Sequence, residues 1–348
     1  MTSGTADDLP PCTVHHYGSH DLQTLSVWHL PTPTTSEPKD ERYWIIFIHG
    51  GAWRDPAITS ASFEPTLRHL LASPTTAAHT RGLASLNYRL SAHPAHPQDP
   101  AQTPRHALRN ATHPAHIRDV RAALSFLQRR HGLGARYLLV GHSCGATLAL
   151  QSVMDPSRLF GEGEGEGEGE GDGDGDGDGP PRADAAAAEV VGQGAADGLL
   201  VPPAAIVGIA GIYDLRLLRD NHARVPVYAA FLTAAFGPRE RVWDRVSPAC
   251  DEGLVRGWAG AAGAAAGSRR RRRLLVVAHS RDDELVEEEQ ARVLVRAVRG
   301  DGQGAGDVEV VALVGERGLT GSHDELWEQG SQIAHMIGMA LSRLVGGV

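Results

Sequence analysis

The sequence predicts an α/β fold with a mostly parallel central sheet that helices cover on both faces. Short apolar runs rich in β-branched and aromatic residues recur along the chain, and segments with helical periodicity lie between them. Strands that alternate with helices pair in parallel, because each crossover returns the chain to the same edge of the sheet. A chain of 348 residues can bury a large core, and we expect one domain over 1–348 that contains insertions.

The predicted strands are short apolar runs that tend to end at glycine or at polar residues, as buried strands do. They span 43–48, 83–88, 137–140, 205–209, 274–278 and 308–313. Helical spacing after Pro114 predicts a helix through Ile117, Val120, Leu124 and Leu127. An amphipathic pattern from Ile333 to Leu344 predicts a final helix.

Two low-complexity segments interrupt this pattern. Glycine alternates with Glu or Asp from Gly161 to Gly179, which combines backbone freedom with like-charge repulsion. We therefore predict a disordered insertion over 161–203. A Gly/Ala tract followed by a run of arginines predicts a flexible, solvated loop over 259–273, rather than a patch for an acidic partner.

Charge and composition restrict the compartment and the partners. The formal net charge of -9 arises largely from the glycine-rich tract, and nothing in the sequence indicates a nucleic-acid partner. Residues 1–10 lack the features of a secretory signal, and no segment is apolar enough to span a bilayer. The cysteines, Cys12, Cys144 and Cys250, are far apart in the sequence. We expect a cytoplasmic protein with free thiols and no membrane contact.

A segment rich in proline and histidine, 93–116, raises the question of a metal site. Its histidines are irregularly spaced, and no cluster of cysteines or carboxylates accompanies them. The sequence therefore predicts neither a metal nor a cofactor.

The clearest chemical signal is the turn G-H-S-C-G at 141–145. A nucleophilic serine on a sharp strand-to-helix turn needs small residues two positions before and after it, and Gly141 and Gly145 supply them. The motif alone can be an ordinary glycine turn. Here a predicted strand precedes it and a small-then-apolar segment suited to a helix follows it. This context predicts Ser143 as the nucleophile of an α/β-hydrolase fold.

A second motif follows the first predicted strand, where this fold places its oxyanion loop. It consists of His49, Gly50, Gly51, Ala52 and Trp53. Its glycines let the backbone approach a substrate that a Cβ would obstruct. We predict that the N–H groups of Gly51, Ala52 and Cys144 form an oxyanion hole. Taken alone, the motif could be a strand-ending turn that His49 anchors.

The acid and the base are predicted from the order Ser, acid, His along this fold. Asp283 follows the strand 274–278 in the register where Leu285 begins the next apolar segment, and Asp282 remains the alternative. His323 is the histidine between the last predicted strand and the final helix. It would act as the base for Ser143, and Asp283 would orient its imidazole.

Together these motifs resemble kynurenine formamidases, especially those of fungi. The tryptophan after H-G-G-A matters most, because esterases of the hormone-sensitive-lipase group usually have a third glycine there. The segments L-N-Y-R-L at 86–90 and G-I-Y-D-L at 211–215 also look like the family. The resemblance implies hydrolysis of N-formyl-L-kynurenine to L-kynurenine and formate, a step of tryptophan degradation that leads toward NAD. It also implies a formyl-enzyme on Ser143 and a homodimer.

Two other functions remain open on the sequence. A carboxylesterase or amidase of broader short-acyl specificity would use the same residues. A non-catalytic hydrolase-fold protein would act as an interaction module, although such proteins typically lack one of the required residues. Trp53 would either line the substrate pocket or, as we favour, brace the oxyanion loop.

Overall fold

An eight-stranded sheet forms the centre of the protein. The computed structural model describes residues 9–30, 41–161, 200–260, 272–300 and 308–346. The strands are β1 (Cys12–His16), β2 (Thr24–His29), β3 (Tyr43–Ile48), β4 (Thr80–Leu86), β5 (Tyr137–His142), β6 (Ala205–Ile209), β7 (Arg273–Ala278) and β8 (Val308–Leu313). They are arranged in the order β1-β2-β4-β3-β5-β6-β7-β8. The pairs β1/β2 and β2/β4 are antiparallel and all other neighbours are parallel, which confirms the predicted mostly parallel sheet.

Helices join the parallel strands and cover the sheet. They are α1 (Glu64–Ala72), α2 (Pro74–His79), α3 (Ala115–His131), α4 (Cys144–Gln151), α5 (Pro156–Phe160), α6 (Leu215–Asn221), α7 (Pro226–Phe236), α8 (Glu240–Val246), α9 (Leu254–Gly260), α10 (Glu289–Arg299), α11 (Glu325–Gln329) and α12 (Ser331–Gly346). Within the described ranges, α12 is the predicted final helix and α3 is the helix predicted after Pro114, with that proline at its N-cap.

Both faces of the sheet are buried, because side chains alternate between them along each strand. In β3, Trp44, Ile46 and Ile48 pack with α3 and α4, whereas Ile45 and Phe47 pack with α1 and α12. All six residues of β3 are buried, so the strand reads as a continuous apolar run rather than an alternating one.

The strand predicted at 83–88 lies earlier in the chain than expected. β4 begins at Thr80, because Thr80 and Gly82 already pair with β3 while Gly82 also pairs with β2. Asn87 and Tyr88 follow the strand and make contacts of their own with β2 and with the loop after β3. The prediction was therefore right about a strand and wrong about its bounds.

The predicted insertions fall mostly outside the described residues. Of the segment 161–203, the structure describes Gly161 and 200–203; of the segment 259–273, it describes the two ends. The predicted loop 259–273 thus overlaps regular structure at both ends, since α9 continues to Gly260 and β7 begins at Arg273. In the part of the chain that is described, no helix is long and apolar enough to cross a membrane.

Candidate active site

Ser143 lies on a strained turn between β5 and α4, at the carboxyl edge of the sheet. Its φ of 55° and ψ of -128° are rare for a residue with a side chain, and its N–H donates to the Ile209 carbonyl at 2.9 Å. A Cβ on Gly141 would lie 2.3 Å from the Gly145 oxygen, and one on Gly145 would lie 2.2 Å from the Ile48 oxygen. Both glycines are therefore required by the close approach of α4 to the strands.

The structure brings the predicted acid and base together. His323 Nδ1 is 2.7 Å from Asp283 Oδ2. A carboxylate only accepts, so Nδ1 carries the hydrogen and Nε2 is left as the basic nitrogen. The Asp283 side chain is fully buried, and its other oxygen accepts the N–H groups of Leu285 and Val286 at 3.0 and 2.9 Å. These bonds hold the carboxylate in the orientation that meets the imidazole.

Asp282, the alternative acid, has different contacts. It is exposed, and its Oδ2 accepts the N–H of Gly321 at 3.0 Å. Its own N–H donates to Ser280 Oγ at 3.1 Å. Asp282 thus fastens the loop that carries His323, whereas Asp283 contacts the ring of His323.

His142 connects the serine turn to His323, the predicted base. It precedes Ser143, and its Nε2 donates to the His323 carbonyl at 3.1 Å. The two imidazole rings lie 4.7 Å apart between centroids. Burial, and then the nearby His323, holds the pKa of His142 well below its ordinary value, so the ring is neutral. The backbone of His323 has a second partner, since its N–H donates to Glu284 Oε2 at 3.1 Å.

The oxyanion loop has an unusual backbone. Gly51, Ala52 and Trp53 all have left-handed φ values, of 94°, 48° and 59°. Such a run curls the chain so that successive N–H groups point to one side. Within the described ranges, the N–H group of Gly51 donates to no protein atom. The N–H groups of Gly51, Ala52 and Cys144 are the predicted oxyanion donors.

Tyr88 holds the start of this loop in place. Its ring stacks on His49, with centroids 4.5 Å apart, and its hydroxyl lies 3.1 and 3.2 Å from the carbonyl oxygens of His49 and Gly50. His49 Nδ1 donates to the Gly50 carbonyl at 2.8 Å. Burial lowers the pKa of His49 to about 4, so this residue is a neutral anchor of the loop and not an acid or base.

The side chain of Cys144 also contacts the oxyanion loop. Its Sγ accepts the Trp53 N–H at 3.3 Å and lies 3.5 Å from the Tyr88 hydroxyl. Burial raises the pKa of this thiol to about 11, and the amides of Trp53 and Ala52 offset that rise in part. The thiol is therefore protonated and buried. Its contact with the Trp53 N–H joins the oxyanion loop to the first residue of α4.

Helix α7 contacts both the oxyanion loop and the acid loop. The buried indole of Trp53 meets Phe236 edge to face at 4.9 Å and Phe231 at 6.2 Å between centroids. At the other end of the helix, the Tyr228 hydroxyl donates to the Leu285 carbonyl at 2.8 Å. Trp53 thus packs between the loop and α7, which is the bracing position that we favoured for it.

Some supporting residues were missed by the sequence analysis. Tyr88 was noted only as part of a family segment, and His142 only as part of the serine turn. His279 was not assigned a role, yet its Nε2 donates to the Val286 carbonyl at 2.8 Å and lies 3.7 Å from Asp283 Oδ2. His142 directly precedes Ser143 and His279 lies four residues before Asp283, which was the available signal for both, whereas Tyr88 lies beside no predicted site residue in the sequence.

The histidines of the segment 93–116 contact separate parts of the protein. His113 contacts the Leu159 carbonyl at 2.9 Å, and His116 contacts Ser91 Oγ at 3.1 Å. No group of three or more His, Cys, Asp or Glu side chains in the described ranges is arranged to hold a metal ion.

The fold and the site together define the class. A parallel sheet with a serine turn at its carboxyl edge, followed in sequence by a buried acid and its histidine, is an α/β-hydrolase. Solved structures agree on the fold. Esterase B from Lactobacillus rhamnosis has a TM-score of 0.59 at 14% identity, covering 98% of this chain and 90% of its own. An esterase from Thermogutta terrifontis with bound butyrate has a TM-score of 0.56 at 16% identity, covering 97% and 94%.

Sequence comparison identifies the family within this class. The kynurenine formamidase-like hydrolase fscH of Fusarium equiseti is 34% identical over 92% of this chain and 90% of its own. Kynurenine formamidase avaC of Aspergillus versicolor is 33% identical over 63% and 66%, and a kynurenine formamidase of Meyerozyma guilliermondii is 41% identical over 39% and 40%. No protein-family model matches the chain. The chain belongs to the kynurenine formamidase family.

Proposed function

We propose that the protein hydrolyses N-formyl-L-kynurenine to L-kynurenine and formate, as a step of tryptophan degradation that leads toward NAD. The observation that carries the proposal is the 34% identity to a formamidase-like hydrolase across 92% of the chain. The contact between His323 and the buried Asp283 supports a hydrolytic role over a non-catalytic one. Proteins that have lost catalysis have no need of a buried, oriented carboxylate beside a histidine.

In the proposed first step, Ser143 Oγ attacks the formyl carbon and His323 Nε2 takes the hydroxyl proton. Asp283 stabilises the imidazolium through the Nδ1 hydrogen bond. The N–H groups of Gly51, Ala52 and Cys144 donate to the oxyanion of the tetrahedral intermediate. His323 then gives its proton to the arylamine nitrogen as the C–N bond breaks, which releases L-kynurenine and leaves a formyl ester on Ser143.

The second step removes the formyl group. His323 takes a proton from a water molecule, and the water oxygen attacks the formyl ester carbon. The same amides receive the oxyanion. Collapse of this second intermediate breaks the bond to Ser143 Oγ, returns the proton from His323 to the serine and releases formic acid, which loses its proton to solvent as formate.

The test compares N-formyl-L-kynurenine with p-nitrophenyl acetate on the purified full chain. We expect kcat/KM to be larger for the formamide, and Ser143→Ala to reduce kcat by roughly 10⁴-fold or more while the protein stays folded. Ser342→Ala, on the exposed side of α12, is the matched control. A preference for the ester by orders of magnitude would contradict the formamidase proposal, and hydrolysis that survives Ser143→Ala would contradict the mechanism.

The setting of the reaction is proposed as well. We infer that the protein acts on this small molecule in the cytoplasm, as a homodimer and without a nucleic-acid partner. The free thiols of Cys12, Cys144 and Cys250 support a reducing compartment, and the family relationship supports the dimer. Sedimentation equilibrium at the mass of one chain would contradict the dimer.

A further inference from the structure

Arg54 is a buried cation directly after the oxyanion loop. Only 8% of its surface is exposed. Its backbone N–H donates to the Gly51 carbonyl at 2.9 Å, so the residue belongs to the same tight turn as the predicted oxyanion donors. The position of its side chain is therefore tied to the position of the reacting centre.

The guanidinium of Arg54 has no hydrogen-bond or ion-pair partner in the described ranges. Its nitrogens are nevertheless not sealed from solvent, since none is among the buried polar atoms that lack a partner. Asp55 is the nearest opposing charge, but its Oδ1 accepts the Ala57 N–H at 2.9 Å. Burial lowers the pKa of Arg54 and outweighs the effect of Asp55. A buried cation without a partner gains most from an anion that reaches it from solvent.

An aromatic ring fixes the guanidinium. The Cζ atom of Arg54 lies over the ring of Phe231, 5.6 Å from its centroid. Phe231 is on α7, the helix that also contacts Trp53 and the acid loop. On the other side, the charge of Arg54 contributes, after burial, to a lowered pKa of His93. Arg54 is thus held between α7 and the segment that begins at His93.

We propose that Arg54 binds the α-carboxylate of the substrate, at the end remote from the formyl group that Ser143 attacks. This inference rests on the proposed function, because N-formyl-L-kynurenine carries an amino-acid carboxylate that simple acyl esters lack. The planar guanidinium donates two parallel hydrogen bonds to a carboxylate, which positions a ligand more narrowly than a lysine does. Arg54 is then the residue that selects amino-acid formamides over other aryl formamides.

The test is a comparison of two substrates in two proteins. N-formylkynuramine is the same molecule as N-formyl-L-kynurenine without the carboxylate. We expect the wild-type protein to favour the carboxylate-bearing substrate roughly 10- to 100-fold in kcat/KM, and Arg54→Gln to abolish that preference mainly through KM. Arg54→Lys restores part of it. Turnover of N-formylkynuramine should fall by a much smaller factor than turnover of N-formyl-L-kynurenine in either variant.

Arg343→Gln is the matched control, because it removes the same charge from the opposite edge of the sheet. Arg343 pairs with Glu309 near the start of β8, at 2.5 Å. Equal loss on both substrates in Arg54→Gln would assign Arg54 a structural role and overturn the proposal. An unchanged preference would overturn it as well.

A second measurement separates this inference from the proposed function. L-kynurenine should inhibit hydrolysis of p-nitrophenyl acetate by the wild-type protein, and kynuramine, which lacks the carboxylate, should inhibit it at least about tenfold more weakly. Arg54→Gln should make the two inhibitors equal. If this pattern holds while N-formyl-L-kynurenine is not hydrolysed, the formamidase function fails and the carboxylate site stands. If N-formyl-L-kynurenine is hydrolysed while the inhibitors do not differ in the wild type, the carboxylate site fails and the formamidase function stands.

Discussion

At the scale of single residues, two neighbouring aspartates have separate tasks. Asp283 is buried and contacts the imidazole of His323, and its second oxygen is held by two backbone N–H groups. Asp282 is exposed and fastens the loop at Gly321. The adjacent aspartates therefore allow the role of the buried carboxylate to be tested against a control of identical chemistry.

Replacing each aspartate by asparagine should give very different results. We expect Asp283→Asn to lower kcat by roughly 10³- to 10⁴-fold, because the amide no longer stabilises the imidazolium or sets its tautomer. Asp282→Asn should lower kcat less than about tenfold. Steady-state kinetics on N-formyl-L-kynurenine measure both. A larger loss in Asp282→Asn would mean that the acid is Asp282.

The sequence predicts the site residues that the fold order locates. Ser143 follows a strand, and His323 lies between the last predicted strand and the final helix, so position alone selects them. Arg54 and Tyr88 escape such reasoning, because their importance depends on contacts with chain segments that the sequence does not place beside them. For Arg54 the informative fact is that its guanidinium pairs with no carboxylate among the residues that the structure describes, which the sequence does not reveal.

At the scale of elements, the close approach of α4 to β3 is the tightest constraint near the site. Gly145 is the second residue of the helix, and a Cβ there would lie 2.2 Å from the Ile48 oxygen. That atom belongs to the backbone of a central strand, so it has little freedom to move. Gly257 offers a contrast, since it lies inside α9 with no atom within 4 Å of its would-be Cβ.

Alanine at these two glycines should act in opposite directions. We expect Gly145→Ala to lower the free energy of unfolding by about 1–3 kcal/mol, and to reduce activity because α4 and Ser143 are displaced. Gly257→Ala should raise the free energy of unfolding by about 0.5–1 kcal/mol, since alanine is favoured over glycine in a helix interior, and should leave activity unchanged. Urea denaturation measures both. An unchanged stability in Gly145→Ala would show that α4 can shift freely.

The edge strands show why part of the fold was not predicted. The strands β1 and β2 were both missed. For β1 the reason is that it is mostly exposed and carries no apolar run, as its sequence C-T-V-H-H shows. The strand exists because its backbone pairs with β2, which in turn pairs with β4. A buried parallel strand can be predicted from its apolar, β-branched composition, whereas an exposed edge strand forms because its backbone pairs with the neighbouring strand.

At the scale of the whole molecule, several buried histidines make stability dependent on pH. Burial lowers the pKa of His49 and of His113 to about 4, and that of His116 to about 3. In the unfolded chain each has an ordinary pKa near 6.5. As the pH falls below 6.5, the unfolded chain binds protons that the folded protein does not, so the unfolded state gains stability.

The free energy of unfolding should therefore be nearly constant above pH 7 and fall steeply below pH 6.5. Each such histidine contributes a slope on the order of 1 kcal/mol per pH unit near pH 5.5. Urea denaturation between pH 5 and pH 8 measures the summed slope. His116→Gln should reduce the slope by about 1 kcal/mol per pH unit, and the exposed His335→Asn is the control. A flat profile would mean that these histidines are protonated in the folded protein.

The polarity of the sheet places the predicted site residues at one of its edges. Ser143, Asp283 and His323 follow the carboxyl ends of β5, β7 and β8. The parallel strands β3, β6, β7 and β8 begin at the opposite edge, and the length of a strand, about 20 Å, separates the two edges. A fused tag or reporter is therefore best placed in a connection that enters one of these strands, where it stands clear of the substrate.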